Sequence, residues 1–302
     1  MTTITIPAAS IGFIGAGRLA TALAWGFSRH GCNVVAAASR TRASAERLAA
    51  GVAGCTVLDT AQQVADAADL VFIGVNDAAI APVCAQVRWR PGTAVVHCSG
   101  ATEVAALATA ATQGAQTGGF HPLQTFADPE AALASLPGCT VSIEAAQPLL
   151  ATLQALAALL GCRAITLPPG ARVRYHASGA YASQYVVALL AEAAKLWASF
   201  GVAEADAIRA LLPLLRGTAA SVEKAGLVQG MPGPVSRGDL VTVKRHLDTL
   251  DAFDAGAAGL YRQLALRTVW LAEARGVLNE EQLAQLQQWL DANDTARNSA
   301  RD

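Results

Sequence analysis

Short, uninterrupted apolar runs alternate with segments of helical periodicity over the first half of the chain, up to about residue 166. Such runs are typical of strands buried on both faces, and their alternation with helices is typical of a parallel sheet covered on two sides. The clearest runs are residues 11–14, 32–38, 69–75 and 94–97. The pattern predicts an α/β domain with a doubly wound, mainly parallel sheet.

The alternation ends at Leu167-Pro-Pro-Gly170, where two prolines interrupt the pattern. No strand-like run follows, and apolar positions then recur at helical spacing. We therefore expect two domains, an α/β domain over residues 1–168 and an all-helical domain over residues 169–302. The expected helices of the second domain are residues 173–199, 203–227, 239–275 (in one piece or two) and 279–291.

The composition indicates a large core and little charge: 53% of the 302 residues are hydrophobic, 15% are charged, and the formal net charge is −1. We expect no nucleic-acid partner, because the sequence has no basic stripe. We expect no membrane partner, because no run reaches about 18 uninterrupted apolar residues. Residues 1–9 lack the positive charge and apolar segment of a signal peptide, so we predict a cytoplasmic protein.

Six cysteines are scattered along the chain without C-x-x-C spacing, and several fall within predicted strands or helices. We interpret them as buried thiols in a reducing compartment. The sequence therefore predicts neither a disulfide framework nor a metal site. The cysteines are Cys32, Cys55, Cys84, Cys98, Cys139 and Cys162.

The segment Gly15-Ala-Gly17-Arg-Leu-Ala20 lies where the first predicted strand turns into the first predicted helix. In a dinucleotide-binding loop, Gly15 would make the tight turn, Gly17 would let a pyrophosphate approach, and Ala20 would let helix and strand pack closely. Free N–H groups at the helix N-terminus favour phosphates. The alternative is a glycine-rich turn of another α/β protein. The predicted cofactor contacts are Gly15, Ala16, Gly17, Arg18 and Leu19.

The end of the second predicted strand bears on the choice of cofactor. An NAD site places an acidic residue there to bind the ribose hydroxyl groups. This chain has Ser39-Arg-Thr-Arg42 instead, and the next acidic residue is Glu46, inside the following helix. Guanidinium and hydroxyl groups suit a 2′-phosphate, which favours NADP over NAD. The alternative is that the arginines are solvated loop charges. The predicted 2′-phosphate contacts are Ser39, Arg40 and Thr41.

Polar residues follow three further strands, and ligands of open α/β sheets bind at the carboxyl ends of strands. Asn76 and Asp77 follow the fourth strand, where they could also be the N-cap and first turn of a helix. Ser99 and Gly100 follow the fifth strand. We expect these four residues to contact the cofactor.

Histidines at these positions are candidates for proton transfer. His97 ends the fifth strand, where we favour a core histidine bound to a backbone carbonyl and where a functional role is the alternative. His121 follows two glycines in the loop after the sixth strand, and His176 lies in the helix that opens the second domain. A histidine near neutral pKa can pass a proton to a carbonyl or imine as hydride arrives, so His121 and His176 are our candidate acids.

Four further polar residues are candidates for substrate binding. They are Gln124, in the loop after the sixth strand, Ser183 and Gln184, on the first long helix, and Arg237, in the loop before Asp239. Small residues around Ser183 would leave room for a substrate, or would serve helix packing. Arg237 could bind a substrate anion or pair with Asp239, which we expect to cap the next helix.

Several of these segments together resemble a largely uncharacterised bacterial family that joins a Rossmann-like domain to a helical domain of unknown function. The segments are Gly15–Leu19, Asp69–Asp77, His97–Ala101, Phe120–Phe126, Tyr175–Ser183 and Gly233–Asp239. The family is similar to pyrroline-5-carboxylate reductase, 6-phosphogluconate dehydrogenase and the β-hydroxyacid dehydrogenases. The resemblance implies a predicted NADP oxidoreductase, with a helical domain like the 6-phosphogluconate dehydrogenase C-terminal domain that forms a homodimer.

Two departures from those relatives bear on the reaction. The dehydrogenases use a lysine on the helix that opens the second domain, but here Lys195 comes late and His176 is nearer the expected place. The serine- and threonine-rich proline loop of the pyrroline reductase is absent. Lysine-assisted alcohol oxidation and the proline pathway are therefore both in doubt.

Two functions remain open at this stage. The first is an NADP(H)-dependent oxidoreductase acting on a small carbonyl, imine or hydroxy compound. The second is a sensor or scaffold that binds NADP(H) without turnover. The sensor needs only the glycine loop and the arginines, and it leaves His121, His176 and Gln184 without a role.

Overall fold

The structure of the protein, a computed structural model, describes residues 9–126 and 128–291. Its strands form one sheet, and most of their apolar residues are buried. The strands are β1 Ser10–Ile14, β2 Asn33–Ala38, β3 Thr56–Val57, β4 Leu70–Ile73, β5 Ala94–His97, β6 Gln116–Pro122, β7 Thr140–Ala145 and β8 Arg163–Thr166. The spatial order is β3-β2-β1-β4-β5-β6-β7-β8. The order reverses direction between β1 and β4, and such a switch point is where ligands bind in open α/β sheets.

The predicted doubly wound, mainly parallel sheet is confirmed. Every neighbouring pair of strands is parallel except β6 and β7, which are antiparallel. One hydrophobic cluster covers each face of the sheet, as continuous apolar strands require. Phe13 and Phe72 stack with ring centroids 5.3 Å apart in the first cluster, and Phe27 and Phe120 pack against Phe72.

Seven helices accompany the sheet, and their positions follow the periodicity except in one place. Helix Pro129–Ala134 was not predicted, although Asp128 caps it by accepting a hydrogen bond from Ala131 N–H and Pro129 occupies its first position. Between β5 and β6 the chain forms a 3₁₀ turn, Val104–Leu107, followed by a short α-helix. The helices are α1 Arg18–Arg29, α2 Arg42–Ala50, α3 Ala61–Ala67, α4 Asp77–Ala85, α5 Ala108–Thr112, α6 Pro129–Ala134 and α7 Leu149–Leu159.

The remaining regular elements are helices, as expected, but two of the predicted helices are divided into shorter ones. The predicted helix 173–199 is interrupted at Ser183, and the predicted helix 239–275 is three helices. Polar residues at the helix starts explain one break, because Asp254 caps its helix by accepting from Ala257 N–H. The helices are α8 Arg172–Ala182, α9 Gln184–Ala198, α10 Glu204–Gly230, α11 Leu240–Phe253, α12 Ala255–Leu266, α13 Val269–Arg275 and α14 Glu280–Asp291.

The chain divides into two compact units between Ser183 and Gln184. Helix α8 therefore belongs to the unit that contains the sheet. The assignment of a cofactor-binding domain to residues 1–168 and a substrate and dimerisation domain to residues 169–302 stays a prediction.

The described residues contain no helix that combines the length and apolar character needed to cross a membrane. All six cysteines are free thiols in the structure. The signal-peptide prediction concerns residues 1–9. Of these, residues 1–8 lie outside the described residues.

Candidate functional site

The glycine loop between β1 and α1 has the close packing that the sequence predicts. Gly15 has φ +92°, and a Cβ there would lie 2.7 Å from the carbonyl oxygen of Gly74. Ala20 packs just as closely against Gly74, because a Cβ on Gly74 would lie 2.7 Å from the Ala20 Cβ. The loop therefore tolerates only glycine at its turn, and β1, β4 and α1 meet there.

The start of α1 fits a pyrophosphate. Gly17 is the N-cap, and no side chain caps the helix. A Cβ on Gly17 would meet one neighbouring atom within 4 Å, the Gly74 carbonyl oxygen at 3.7 Å, so space remains beside the backbone N–H groups. Ala16 is buried and Leu19 packs against the core, so these two residues can offer a phosphate only their backbone.

The two arginines in the segment after β2 differ in their ion pairs. Arg42 donates to Glu46 at 3.0 Å and to Asp59 at 2.6 Å, so nearby carboxylates neutralise its charge. Arg40 is exposed and forms no ion pair with another described residue. Thr41 is the N-cap of α2, and its hydroxyl does not cap the helix. Arg40 is therefore the guanidinium better placed for a phosphate.

The predicted contacts after β4 and β5 have structural roles of their own. Asn76 is the N-cap of α4 and Asp77 is its first residue, although the Asn76 side chain makes no capping hydrogen bond. The Ser99 hydroxyl accepts from the N–H groups of Ala101 and Thr102, at 3.2 and 2.9 Å, and so fixes the turn that contains Gly100. Their contact with a cofactor stays a prediction.

His121 and His176 converge on the backbone of Gly100. A Cβ on Gly100 would lie 2.5 Å from His176 Nδ1 and 2.9 Å from His121 Nε2. The two imidazole rings meet edge to face, with centroids 5.7 Å apart. Sequence reasoning singled out both histidines, and the structure brings them together within the first unit, at the carboxyl end of β5.

Tyr175 orients His121. Its hydroxyl lies 3.0 Å from His121 Nδ1, and their rings also pack edge to face. Burial raises the pKa of Tyr175, so the phenol keeps its proton at neutral pH. The Tyr175 hydroxyl also lies 3.4 Å from the His121 carbonyl oxygen, to which it can donate. When the phenol instead donates to Nδ1, the imidazole hydrogen is on Nε2, the nitrogen near Gly100.

A buried arginine lies beneath this cluster. Arg172, the first residue of α8, has no solvent exposure. Its Nε donates to Glu144 on β7 at 2.6 Å, and its Nη1 donates to the Ser99 carbonyl oxygen at 2.8 Å. Gly119 on β6 makes room for it, because a Cβ there would lie 1.9 Å from Arg172 Nη2.

Burial and positive charge keep two histidines neutral. Burial, followed by the charges of His176 and Arg172, lowers the pKa of His121 to about 4, although Asp77 acts in the opposite direction. Burial, followed by Arg172 and His121, lowers the pKa of His97 to about 3. Both imidazoles are therefore uncharged at neutral pH.

His97 is a core histidine, but its expected bond to a backbone carbonyl is wrong. Its Nδ1 accepts a hydrogen bond from the Ser99 N–H at 3.2 Å. A backbone N–H can only donate, so the neutral ring carries its hydrogen on Nε2. This Nε2 is buried without a hydrogen-bond partner among the described residues. His97 therefore supports the Ser99 turn.

These pKa shifts predict that acidification destabilises the fold. In the unfolded chain both histidines bind protons below about pH 6.5, whereas in the folded protein His121 does so only below about pH 4 and His97 only below about pH 3. The free energy of unfolding therefore falls as the pH falls through this range. We expect His97→Gln to reduce the slope of unfolding free energy against pH by up to about 1.4 kcal/mol per pH unit. Urea unfolding between pH 7 and pH 4.5 measures this, and equal slopes in both proteins would contradict it.

The candidate substrate residues are dispersed. Gln124 binds within its own loop, where its Oε1 accepts from Thr125 N–H at 2.8 Å. The Ser183 hydroxyl donates to the Gly179 carbonyl oxygen at the end of α8, and Gln184 begins α9. Arg237 is exposed in the second unit, beside Asp239, which caps α11 as predicted. Their roles in substrate binding stay predictions.

Sequence reasoning missed four residues of this cluster, namely Gly119, Glu144, Arg172 and Tyr175. Two adjacent glycines inside a strand were the available signal, because glycine in a strand marks a close approach of another group. Glycine in a helix is a similar signal, and a Cβ on Gly179 of α8 would lie 3.2 Å from the Leu123 side chain. The Leu123 side chain therefore packs closely against α8 at Gly179.

Solved structures of similar fold cover most of the chain. A Bacteroides fragilis protein, provisionally named an NADP oxidoreductase, is 27% identical, with a TM-score of 0.68 over 88% of this chain and 99% of its own. A reductive aminase from Aspergillus terreus, in complex with NADPH and ethyl-5-oxohexanoate, is 18% identical, with a TM-score of 0.63 over 91% and 98%. A 1-pyrroline-5-carboxylate reductase from Streptococcus pyogenes is 15% identical, with a TM-score of 0.58 over 93% and 98%.

Comparison with families agrees with this fold. No functionally curated protein matches the chain. Residues 2–122 match the Rossmann-like domain, and residues 139–268 match a domain of unknown function, DUF2520. The chain therefore joins a Rossmann-like domain to a DUF2520 domain, in a fold shared with pyrroline-5-carboxylate reductase.

Proposed function

We propose that the protein is an NADP(H)-dependent oxidoreductase that transfers hydride to or from a small carbonyl, imine or hydroxy compound. The observation that carries the proposal is the convergence of His121 and His176 on Gly100. This point lies at the carboxyl edge of the parallel strands, the edge where the glycine loop also lies. Structures of similar fold that hold NADPH or carry an NADP oxidoreductase name support the choice of cofactor.

The chain provides separate contacts for the parts of the cofactor. Backbone N–H groups at the start of α1 bind the pyrophosphate, because Gly17 leaves them uncovered. Arg40, with Ser39 and Thr41, binds the 2′-phosphate. The bound cofactor supplies or accepts the hydride.

The two histidines have different roles in this proposal. His121 is neutral, so it donates a hydrogen bond from Nε2 to the oxygen or nitrogen of the reacting group, and Tyr175 holds it in that tautomer. His176 is exposed, so it exchanges protons with water and can transfer one to the reduced product. In the oxidative direction His176 accepts the same proton.

The test combines binding with turnover. Calorimetry with NADPH and NADH measures cofactor binding, and NADPH consumption against keto acids, aldehydes and cyclic imines measures turnover. We expect NADPH to bind and at least one class to be reduced. Binding without turnover on every class would favour the sensor, and the absence of binding by folded protein would refute both functions.

Cofactor preference gives a prediction for a variant of Arg40. We expect Arg40→Ala to weaken NADPH binding tenfold to a hundredfold and to leave NADH binding nearly unchanged, because a hydrogen bond to a charged group contributes about 1.5–3 kcal/mol. Calorimetric dissociation constants measure both effects. Arg47→Ala is the matched control, because it removes an exposed arginine from α2. Equal losses for NADPH and NADH would contradict the 2′-phosphate role.

We also propose that the protein forms a homodimer through its helical unit. Large apolar side chains are exposed on helices of this unit, among them Val187 at 66%, Leu214 at 64% and Trp270 at 51%. Exposed apolar patches mark association surfaces. We expect sedimentation equilibrium to give twice the mass of the chain, and a monomer at micromolar concentration would contradict the proposal. A cytoplasmic location stays a prediction.

A further inference from the structure

Three neighbouring strands align a row of residues beneath the histidine cluster. His97 on β5 is in register with Gly119 on β6, and Gly119 is in register with Glu144 on β7. Residues in register across a sheet project from the same face. Gly119 therefore leaves a gap between the imidazole of His97 and the carboxylate of Glu144.

The guanidinium of Arg172 occupies this gap. Its Nη2 lies 1.9 Å from where a Gly119 Cβ would be, its Nε donates to Glu144, and its Nη1 donates to the Ser99 carbonyl oxygen. The ion pair is buried, with side-chain exposures of 0% for Arg172 and 12% for Glu144. One side chain thus joins β7, the Ser99 turn and the start of α8.

We propose that Arg172 and Glu144 are positioning residues that hold the Ser99–Gly100 backbone and the start of α8 together, so that His121 and His176 converge. The inference rests on the proposed function, because it concerns the residues that would direct the proton transfer. Neither Arg172 nor Glu144 is assigned contact with the reacting atoms.

Stability alone does not account for this ion pair. Buried ion pairs can often be replaced by apolar residues of similar volume without loss of stability. This pair also leaves Arg172 Nη2 buried without a hydrogen-bond partner among the described residues, in the same row as the unpartnered His97 Nε2. Unpaired buried donors carry a desolvation cost. A role in geometry explains why the arrangement includes a charged pair.

The position of Arg172 also affects the protonation of His121. The titratable groups that act on His121 are Asp77 of α4, His97 of β5, and Arg172, Tyr175 and His176 of α8. Arg172 is the permanent cation among them. Its displacement should therefore make His121 easier to protonate, which a purely structural role at a distance from His121 would not do.

Gly119→Ala tests the proposal without changing a titratable group. The added methyl would displace the guanidinium, whereas Gly118→Ala adds a methyl on the other face of β6, where the nearest atoms are 3.1 Å away. Histidine NMR titration of the protein without substrate gives the pKa of His121, with His121→Gln used for assignment. We expect Gly119→Ala to raise this pKa above about 4, and Gly118→Ala to leave it unchanged.

Turnover and binding complete the test. If the panel yields a substrate, we expect Gly119→Ala to lower kcat at least tenfold. An unchanged His121 pKa in folded Gly119→Ala, or equal shifts in both glycine variants, would overturn the proposal. A failure of the proposed function is distinct, because it appears as lost NADPH binding or turnover in the unaltered protein.

Arg172→Lys decides the question if Gly119→Ala does not fold. Lysine keeps the charge but lacks the fork that reaches Glu144 and the Ser99 carbonyl together. We expect the NMR resonances of both His121 and His176 to move from their positions in the unaltered protein. Unmoved resonances would overturn the proposal.

Discussion

Replacement of His176 by glutamine is expected to lower kcat by a factor of about 10²–10⁴ on any substrate that the panel identifies. The reason is that His176 is the exposed member of the pair on Gly100, and glutamine cannot hold or release a proton. Initial rates of NADPH oxidation at saturating substrate measure this loss.

His121→Gln distinguishes the two histidines. Glutamine can still donate a hydrogen bond, so we expect a smaller loss of kcat than in His176→Gln. His246→Gln is the control, because His246 is exposed in the second unit and contacts Tyr261. If His176→Gln retains a tenth or more of the original rate, the proton-transfer role of His176 is wrong.

Arg172→Met is expected to destabilise the sheet-bearing unit by about 3–5 kcal/mol. Methionine fills much of the space of the arginine but leaves the buried carboxylate of Glu144 without a cation. The carbonyl oxygen of Ser99 also loses its donor. Urea unfolding monitored by tryptophan fluorescence measures the loss, because Trp25 and Trp89 belong to this unit.

Two further variants test whether this loss of stability comes from the unpaired, buried carboxylate of Glu144. Arg29→Met breaks an exposed ion pair with Glu130, whose side chains are 55% and 62% exposed, and we expect a change within about 1 kcal/mol. The double variant Arg172→Met with Glu144→Leu should recover most of the stability, because no charge remains buried. A single Arg172→Met variant as stable as Arg29→Met would show that the carboxylate finds other partners.

Much of the fold could be predicted because it depends on local patterns. Uninterrupted apolar strands separated by periodic helices specify a parallel sheet, and the glycine loop locates its switch point. The break at Ser183 could not be predicted in the same way, because residues 173–199 continue their periodicity and contain no proline. The helix Pro129–Ala134 could have been predicted from Asp128, its N-cap.

The candidate site could be predicted only in part, for a physical reason. His121 and His176 stood out because histidine is the side chain whose ordinary pKa lies nearest neutrality. The partners of Arg172 depend on the register of β5, β6 and β7, and register is a property of the folded sheet. An arginine at the start of a helix is usually solvated, so its sequence context gave no sign of burial.

The DUF2520 match begins at residue 139, inside the eight-stranded sheet rather than at its edge. A chimera joined at that border would take β6 from one parent and β7, β8 and α8 from the other. Gly119 would then come from one parent, and Glu144 and Arg172 from the other, although the three residues fit together sterically. A junction after Ser183 would transfer all three from one parent, so modules exchanged between relatives should be cut there.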